Sequence, residues 1–146
     1  MTHGLNINIT RSSNNFGPSQ NQEKLIPNFI LRLAQNLKVP VYGDGLNIRD
    51  WLHVDDHCKG IYLVLTKGKA GEIYNIGGGT ELTNLELTMR IITILGKSAE
   101  SIQYVGDRLG HDQRYSVDYR KISELGYAPS KDINSSLNAT INWYLS

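Results

Sequence analysis

The chain has 146 residues, 40% of them hydrophobic and 20% charged, with a formal net charge of +1, the balance of a globular protein and not of a disordered or membrane-spanning one. No basic block supports a general nucleic-acid role, and Cys58 as the single cysteine excludes an internal disulfide framework or thiolate metal cluster. No secretory signal or bilayer-length apolar run is visible, so the expected location is cytoplasmic, with no membrane partner.

Leu5, Ile7 and Ile9 alternate with Asn6, Asn8 and Thr10, which predicts a strand ending near Arg11. A polar loop over 12–22 turns at Gly17-Pro18. Leu25, Ile26, Phe29, Ile30, Leu33 and Leu37 then recur at helical spacing over roughly 26–37, with Pro27 confined to the first turn. Apolar residues on both sides of Asp44-Gly45 predict a hairpin with strands near 39–42 and 46–50.

Asp55 or Asp56 is expected to cap a helix that carries Ile61, Val64 and Leu65 and ends near Gly68. "EIYNIG" predicts a short strand, followed by Gly77-Gly78-Gly79 as a flexible turn. Thr83 and Glu86 make a capping box ahead of Leu87, Ile91, Ile92 and Leu95, with Gly96 as the stop. "SIQYVG" is a further strand and "RKISELG" a short helix. Ile133, Leu137 and Ile141 line one face of a final helix. Strand and helix alternate throughout, so the fold class is α/β.

Four stretches could carry chemistry. Asn14 and Asn15 end a strand, where open α/β sheets contact ligands, although asparagine also simply favours turns. "VGDRLGHDQRY" gathers Asp107, Arg108, His111, Arg114 and Tyr115; arginine's planar fork suits phosphate oxygens, and the alternative is a solvated charged loop. Arg49 at a strand end could reach a phosphate or pair with Asp50 on the surface. "HVDDH" has two histidines four apart, but a cap at Asp55 or Asp56 leaves His53 outside the helix, and no metal is expected.

Two patterns are rejected. Gly77 to Gly79 do not continue into a Gly-x-Gly-x-x-Gly dinucleotide turn. "YAPSK" (Tyr127 to Lys131) matches Tyr-x-x-x-Lys, yet Pro129 opposes the helix that would align the two side chains, and the stretch reads as a loop.

In this order, "TRSSNNFGP", "EKLIP", "PVYGDGLNIRDWLHVDDH", "YNIGGG", "DRLGHDQRY" and "ELGYAP" resemble the C-terminal portion of the dTDP-glucose 4,6-dehydratases, extended short-chain dehydrogenase/reductases, from about Thr2 to Leu145. The "RDW-hydrophobic-HV-D" segment also resembles nucleotide-sugar epimerases. The resemblance implies the last strands of a Rossmann sheet plus a small α/β substrate-binding domain. Residues 1–146 would then form one nucleotide-sugar-binding portion without the N-terminal NAD-binding Rossmann half.

Position by position, it implies that Asn14 contacts the sugar nucleotide and Asn15 the nicotinamide cofactor. Lys24, Leu25, Pro40, Val41 and Tyr42 would surround the nucleotide, with strand backbone reading the thymine edge. Arg49 and Arg108 would hold the diphosphate with help from Asn84, and Asp107, His111 and Tyr115 would complete the pocket. Leu109, Gln113, Phe16 and Ser12 stand where the family usually has Pro, Arg, Tyr and Cys.

The family reaction oxidises C4 of glucose with NAD, eliminates water across C5 and C6, and returns the hydride to C6. Its Tyr-Lys and Asp-Glu pairs and its glycine-rich cofactor turn have no counterpart in this chain. The expectation is a dTDP-sugar-binding portion, inactive and without NAD when alone. Its first strand and strand 73–76 would have exposed edges and an uncovered apolar face, inviting a missing half or self-association. The alternatives are a stand-alone dTDP-sugar-binding module and the same portion of an epimerase.

Overall fold

The computed structural model describes residues 5–129 and 132–146. Its organising element is the strand β4 (Ile48–His53), which pairs with β2 (Asn14–Phe16) and β8 (Arg114–Tyr115) in parallel and with β6 (Glu81–Thr83) in antiparallel. Two further parallel pairs are β1 (Ile9–Ser12) with β5 (Ile73–Ile76), and β3 (Val39–Tyr42) with β7 (Ile102–Val105). The helices are α1 (Leu25–Ala34), α2 (Val54–Lys67), α3 (Asn84–Ile94), α4 (Arg120–Ser123) and α5 (Ile133–Leu145).

Two apolar cores result. The larger joins Ile26, Phe29, Ile30 and Leu33 of α1 to Leu87, Ile91 and Ile92 of α3 and to Ile133, Leu137 and Ile141 of α5, with Trp51 and Phe16 edge to face at 6.5 Å. Each fully buried side chain of this kind contributes roughly 1.5–3 kcal/mol. The smaller core joins Leu52, Val64, Tyr74, Ile76, Ile122 and Tyr127 between α2, α4 and β5.

Helix termini follow local chemistry. Thr83 accepts from the Glu86 N–H while Glu86 accepts from the Thr83 N–H, the reciprocal box expected for α3. The cap of α2 differs from expectation: His53 precedes the helix and its Nδ1 accepts from the Asp55 N–H at 3.3 Å, so Asp55 and Asp56 lie in the first turn. α1 ends at Ala34 instead of Leu37, because Asn36 adopts a positive φ of 58°.

Three other expectations are corrected. Asp44-Gly45 does not close a hairpin: β3 pairs with β7, whereas β4 pairs elsewhere. The turn is real, with Asp44 accepting from the Leu46 N–H and Gly45 at φ 74°, but it changes sheets. The first strand begins at Ile9 and not Leu5, because its partner β5 begins only at Ile73, after the turn at Gly71. The strand predicted at 46–50 runs instead from Ile48 to His53.

The glycine triplet is pinned. Asp50, only 1% exposed, accepts from the N–H groups of Gly78 and Thr80, each at 3.0 Å. A Cβ on Gly78 would lie 1.9 Å from the Trp51 carbonyl oxygen, so a side chain has no room there. The flexible turn and the surface Arg49–Asp50 pair both give way to a buried carboxylate that straps residues 77–80 across β4.

The exposed apolar face expected near the chain start is present among the described residues. Leu5, Ile7, Ile9 and Ile73 are exposed, and Ile9 sits opposite Ile73 in the β1–β5 register. The second edge of β1 has no strand beside it among the described residues. No helix of the described residues is long and apolar enough to cross a membrane.

Candidate nucleotide-binding cleft

A cleft of about 430 Å³ opens between α1, β3, β4 and the loop 106–113. Its lining includes Asn14, Lys24, Leu25, Pro40, Tyr42, Arg49, Asn84, Arg108 and His111, brought from six parts of the chain. A second cavity of about 380 Å³ shares Asn14, Lys24, Leu25 and Trp51 with it and adds Asn15, Gln20 and Ile26.

Each wall has a local cause. Period two along β4 puts Arg49 and Trp51 on one face, and both line the cleft, while Asp50 turns away to the glycine strap. In β3, Val39 and Val41 are buried while Pro40 and Tyr42 reach the cleft. The Gly43 N–H bonds to the Val105 carbonyl, so by the same alternation Val41 and Val39 direct their N–H groups to β7. Pro40 and Tyr42 therefore face the open edge, where a proline costs no ladder bond. That edge offers the Pro40 carbonyl as an acceptor and the Tyr42 N–H as a donor.

On α1, Lys24, Asn28 and Arg32 lie four apart and all line the cleft, as do Leu25 and Phe29. Lys24 occupies the N-cap without a side-chain cap bond. The helix therefore starts with N–H donors that no cap side chain satisfies.

The loop 106–113 closes the far side. The Arg108 guanidinium sits 4.2 Å over the Tyr42 ring. Arg49 donates to the carbonyls of Ile48 and Asp112 at 2.7 and 2.8 Å, which ties the loop to β4 while its other guanidinium N–H groups have no partner among the described residues. Asp107 accepts from the Arg108 N–H and lies 2.8 Å from His111 Nδ1; these contacts, His111 first, hold its carboxyl below the usual range. Leu109 is fully exposed at the loop tip and does not line the cleft.

Several residues singled out from sequence lie elsewhere. The Val41 side chain is buried away from the cleft, Asp107 reaches it only through His111, and the Tyr115 hydroxyl donates to the Ser12 carbonyl at 3.1 Å. Arg114 is held by Glu81 in two bonds of 2.8 and 2.6 Å. Tyr127 is buried, donates to the Gly77 carbonyl, and has its pKa raised by burial and then by Asp56 and Asp50, the reverse of an activated base. Ser130 and Lys131 of the "YAPSK" stretch lie outside the described residues.

Sequence reasoning missed Glu23, Asn28, Phe29, Arg32, Trp51 and Gln20, which line one cavity or the other. Helical spacing from Lys24 and Leu25 would have found Asn28, Phe29 and Arg32, and strand spacing from Arg49 would have found Trp51. Gln20 carries no periodic signal.

Asn15 lines the second cavity. Its Nδ2 donates to Ser12 Oγ and the Ser13 carbonyl, while its Oδ1 is buried without a hydrogen-bond partner among the described residues. An acceptor so placed can take a hydrogen bond from an N–H or O–H donor.

The chain resembles characterised proteins along nearly its whole length. A dTDP-glucose 4,6-dehydratase of Actinoplanes sp. is 56% identical over 144 residues, which is 98% of this chain and 45% of that protein. DesIV, a dTDP-glucose 4,6-dehydratase from Streptomyces venezuelae solved with NAD and a dTDP ligand bound, superposes with a TM-score of 0.95 at 53% identity, over 99% of this chain and 45% of DesIV. A UDP-glucose 4-epimerase from Thermotoga maritima superposes with a TM-score of 0.91 at 28% identity, over 98% of this chain and 47% of that one. The chain thus spans somewhat under half the length of these relatives. The model of the NAD dependent epimerase/dehydratase family matches residues 1–77, and the chain belongs to that family.

Proposed function

We propose that the chain is the nucleotide-sugar-binding portion of a dTDP-glucose 4,6-dehydratase, holding dTDP-glucose through its base and diphosphate. The observation that carries this reading is the convergence on one cleft of Arg49, Arg108 and His111 with the open edge of β3 and the uncapped start of α1. Two guanidinium groups suit a diphosphate, and an adjacent acceptor and donor on the strand edge suit the imide edge of a pyrimidine.

Asn14 lies where the two cavities meet, a position suited to the link between nucleotide and sugar. The cofactor of the full-length family accepts and returns a hydride; Asn15 is the residue of this chain that would touch it. Within these 146 residues there is no adjacent Asp-Glu pair, so the chain binds without producing the keto sugar. The exposed Leu5, Ile7, Ile9 and Ile73 face is where the cofactor-binding half, or a second copy, would dock.

The test is a thermal melt with and without saturating dTDP. A ligand at a hundredfold excess over its dissociation constant adds about 2.7 kcal/mol, several degrees for a domain of this size. A cooperative melt raised by dTDP and not by NAD supports the reading; a melt indifferent to dTDP refutes it. The epimerase neighbours motivate a second reading, the same portion of a nucleotide-sugar epimerase, which a preference for UDP over dTDP would favour.

A further inference from the structure

We infer that Gln20 is a positioning residue: its carboxamide, itself anchored through Tyr144, holds the turn over 17–20 against the end of β2, so that Asn14 is presented where the sugar joins the diphosphate. This rests on the nucleotide-sugar reading and assigns a residue that the reading leaves unused.

The strand that carries both asparagines is weakly held by its own ladder. β2 runs for three residues and pairs with β4 alone among the described residues, so few ladder bonds fix it. Gln20 adds a bond from a side chain: its Nε2 donates to the Asn15 carbonyl at 2.7 Å. Asn15 in turn donates through Nδ2 to Ser12 Oγ at 2.9 Å and to the Ser13 carbonyl at 3.1 Å. The Gln20 carbonyl accepts from the Tyr144 hydroxyl at 2.5 Å. Tyr144 belongs to α5, whose Ile133, Leu137 and Ile141 are buried in the larger core. A line of hydrogen bonds therefore runs from the core helix through Gln20 to the asparagine pair.

The turn between Asn15 and Gln20 needs these anchors because it is strained. Ser19 has a φ of 62°, in the left-handed region that a residue with a side chain seldom occupies. Such a conformation persists only where the surrounding contacts over-determine it. Ser19 itself is exposed, and its neighbour Gln20 makes both fixing bonds. At the other end of the turn Gly17 packs so closely on α2 that a Cβ there would lie 2.7 Å from Val54 Cγ1.

The bond to Asn15 also orients the Gln20 amide. With its nitrogen on that carbonyl, its Oε1 is buried without a hydrogen-bond partner among the described residues. The bond made and the acceptor left unmet offset each other, so stability alone gives an amide here little advantage over an apolar side chain of its shape. What the amide supplies is a fixed donor at the wall of the second cavity, which shares Asn14 and Lys24 with the nucleotide cleft.

The experiment measures the affinity of the 146-residue chain for dTDP-glucose and for dTDP by calorimetry, in the original chain and in Gln20→Met, which keeps the side chain's length and removes its donor. dTDP lacks the sugar and reports the base and diphosphate contacts alone. Gln20→Met should weaken dTDP-glucose binding about three- to tenfold, the worth of roughly one hydrogen bond, and dTDP binding by less than about twofold. Tyr144→Phe removes only the hydroxyl and should also weaken dTDP-glucose more than dTDP. It provides the same reading if Gln20→Met folds poorly.

Equal weakening of both ligands would make Gln20 merely structural, and unchanged binding of both would mean that the turn does not place Asn14. Either result overturns the inference while the nucleotide-sugar reading stands. An original chain that binds neither dTDP-glucose nor dTDP sinks both.

Discussion

The two ends of the molecule use parallel strands in different ways. β4 itself has partner strands on both edges, and α1, α3 and α5 cover the apolar residues around it to full burial, as at Ile30, Leu87 and Leu137. At the β1–β5 pair, α2 and α4 cover the Tyr74 and Ile76 face, while Ile9 remains 51% exposed opposite Ile73. A parallel sheet is ordinarily buried on both faces. Among the described residues the β1–β5 pair is covered on one face only, and the region around β4 is the one that carries the cleft.

The contrast is sharpest in core substitutions. Leu87→Ala should cost roughly 2–5 kcal/mol, read by chemical denaturation, because it empties a fully buried site in the larger core. Asp50→Ala should cost somewhat less, about 2–4 kcal/mol, by leaving the Gly78 and Thr80 N–H groups without their acceptor. A near-neutral Asp50→Ala would show that the glycine strap is held by backbone packing alone.

Arg49→Ala should weaken dTDP binding by about ten- to a hundredfold, the worth of a charged hydrogen-bond donor to phosphate, measured by calorimetry. Its effect on the melt without ligand should be small beside that of Leu87→Ala. Thr83→Ala should remove about 1 kcal/mol by breaking the cap of α3. Ile9→Ser should change stability by less than about 0.5 kcal/mol yet reduce concentration-dependent self-association in sedimentation. A large stability loss at Ile9 would mean that the open face is covered in solution.

The smallest effect concerns acid. Arg120 holds the Asp118 carboxyl at about 2, first through side-chain and backbone hydrogen bonds and then through charge. A depressed carboxylate contributes stability that is fully present above the unfolded-state value near 4 and is lost as pH falls toward about 2. Because this pair is exposed, Asp118→Asn should leave the melting temperature near neutrality almost unchanged and slightly flatten its decline in acid.

Much of the molecule was legible in residue patterns. The Thr83–Glu86 box marked α3 because both partners of the cap lie within one turn, and the spacing of Ile133, Leu137 and Ile141 marked α5 because one face is buried along its whole length. The resemblance named Asn14, Lys24, Leu25, Pro40, Tyr42, Arg49, Asn84, Arg108 and His111, all of which meet in one cleft. Asp44-Gly45 misled because turn chemistry specifies that the chain reverses and not which strand lies beside it afterwards.

What the sequence determined by itself was local: the limits of α3 set by its capping box, the alternation that gives a strand its two faces, and the turn at Asp44-Gly45, where a glycine accepts a positive φ. Only the tertiary structure decided that Asp50 straps the glycine triplet, that Arg114 belongs to Glu81, and that Asp107 serves His111. Asp50 and Glu81 find partners some thirty residues away in sequence, where spacing carries no signal. Asp107 and His111 lie four apart in a loop, where no helical period aligns them and the surrounding fold alone sets the contact.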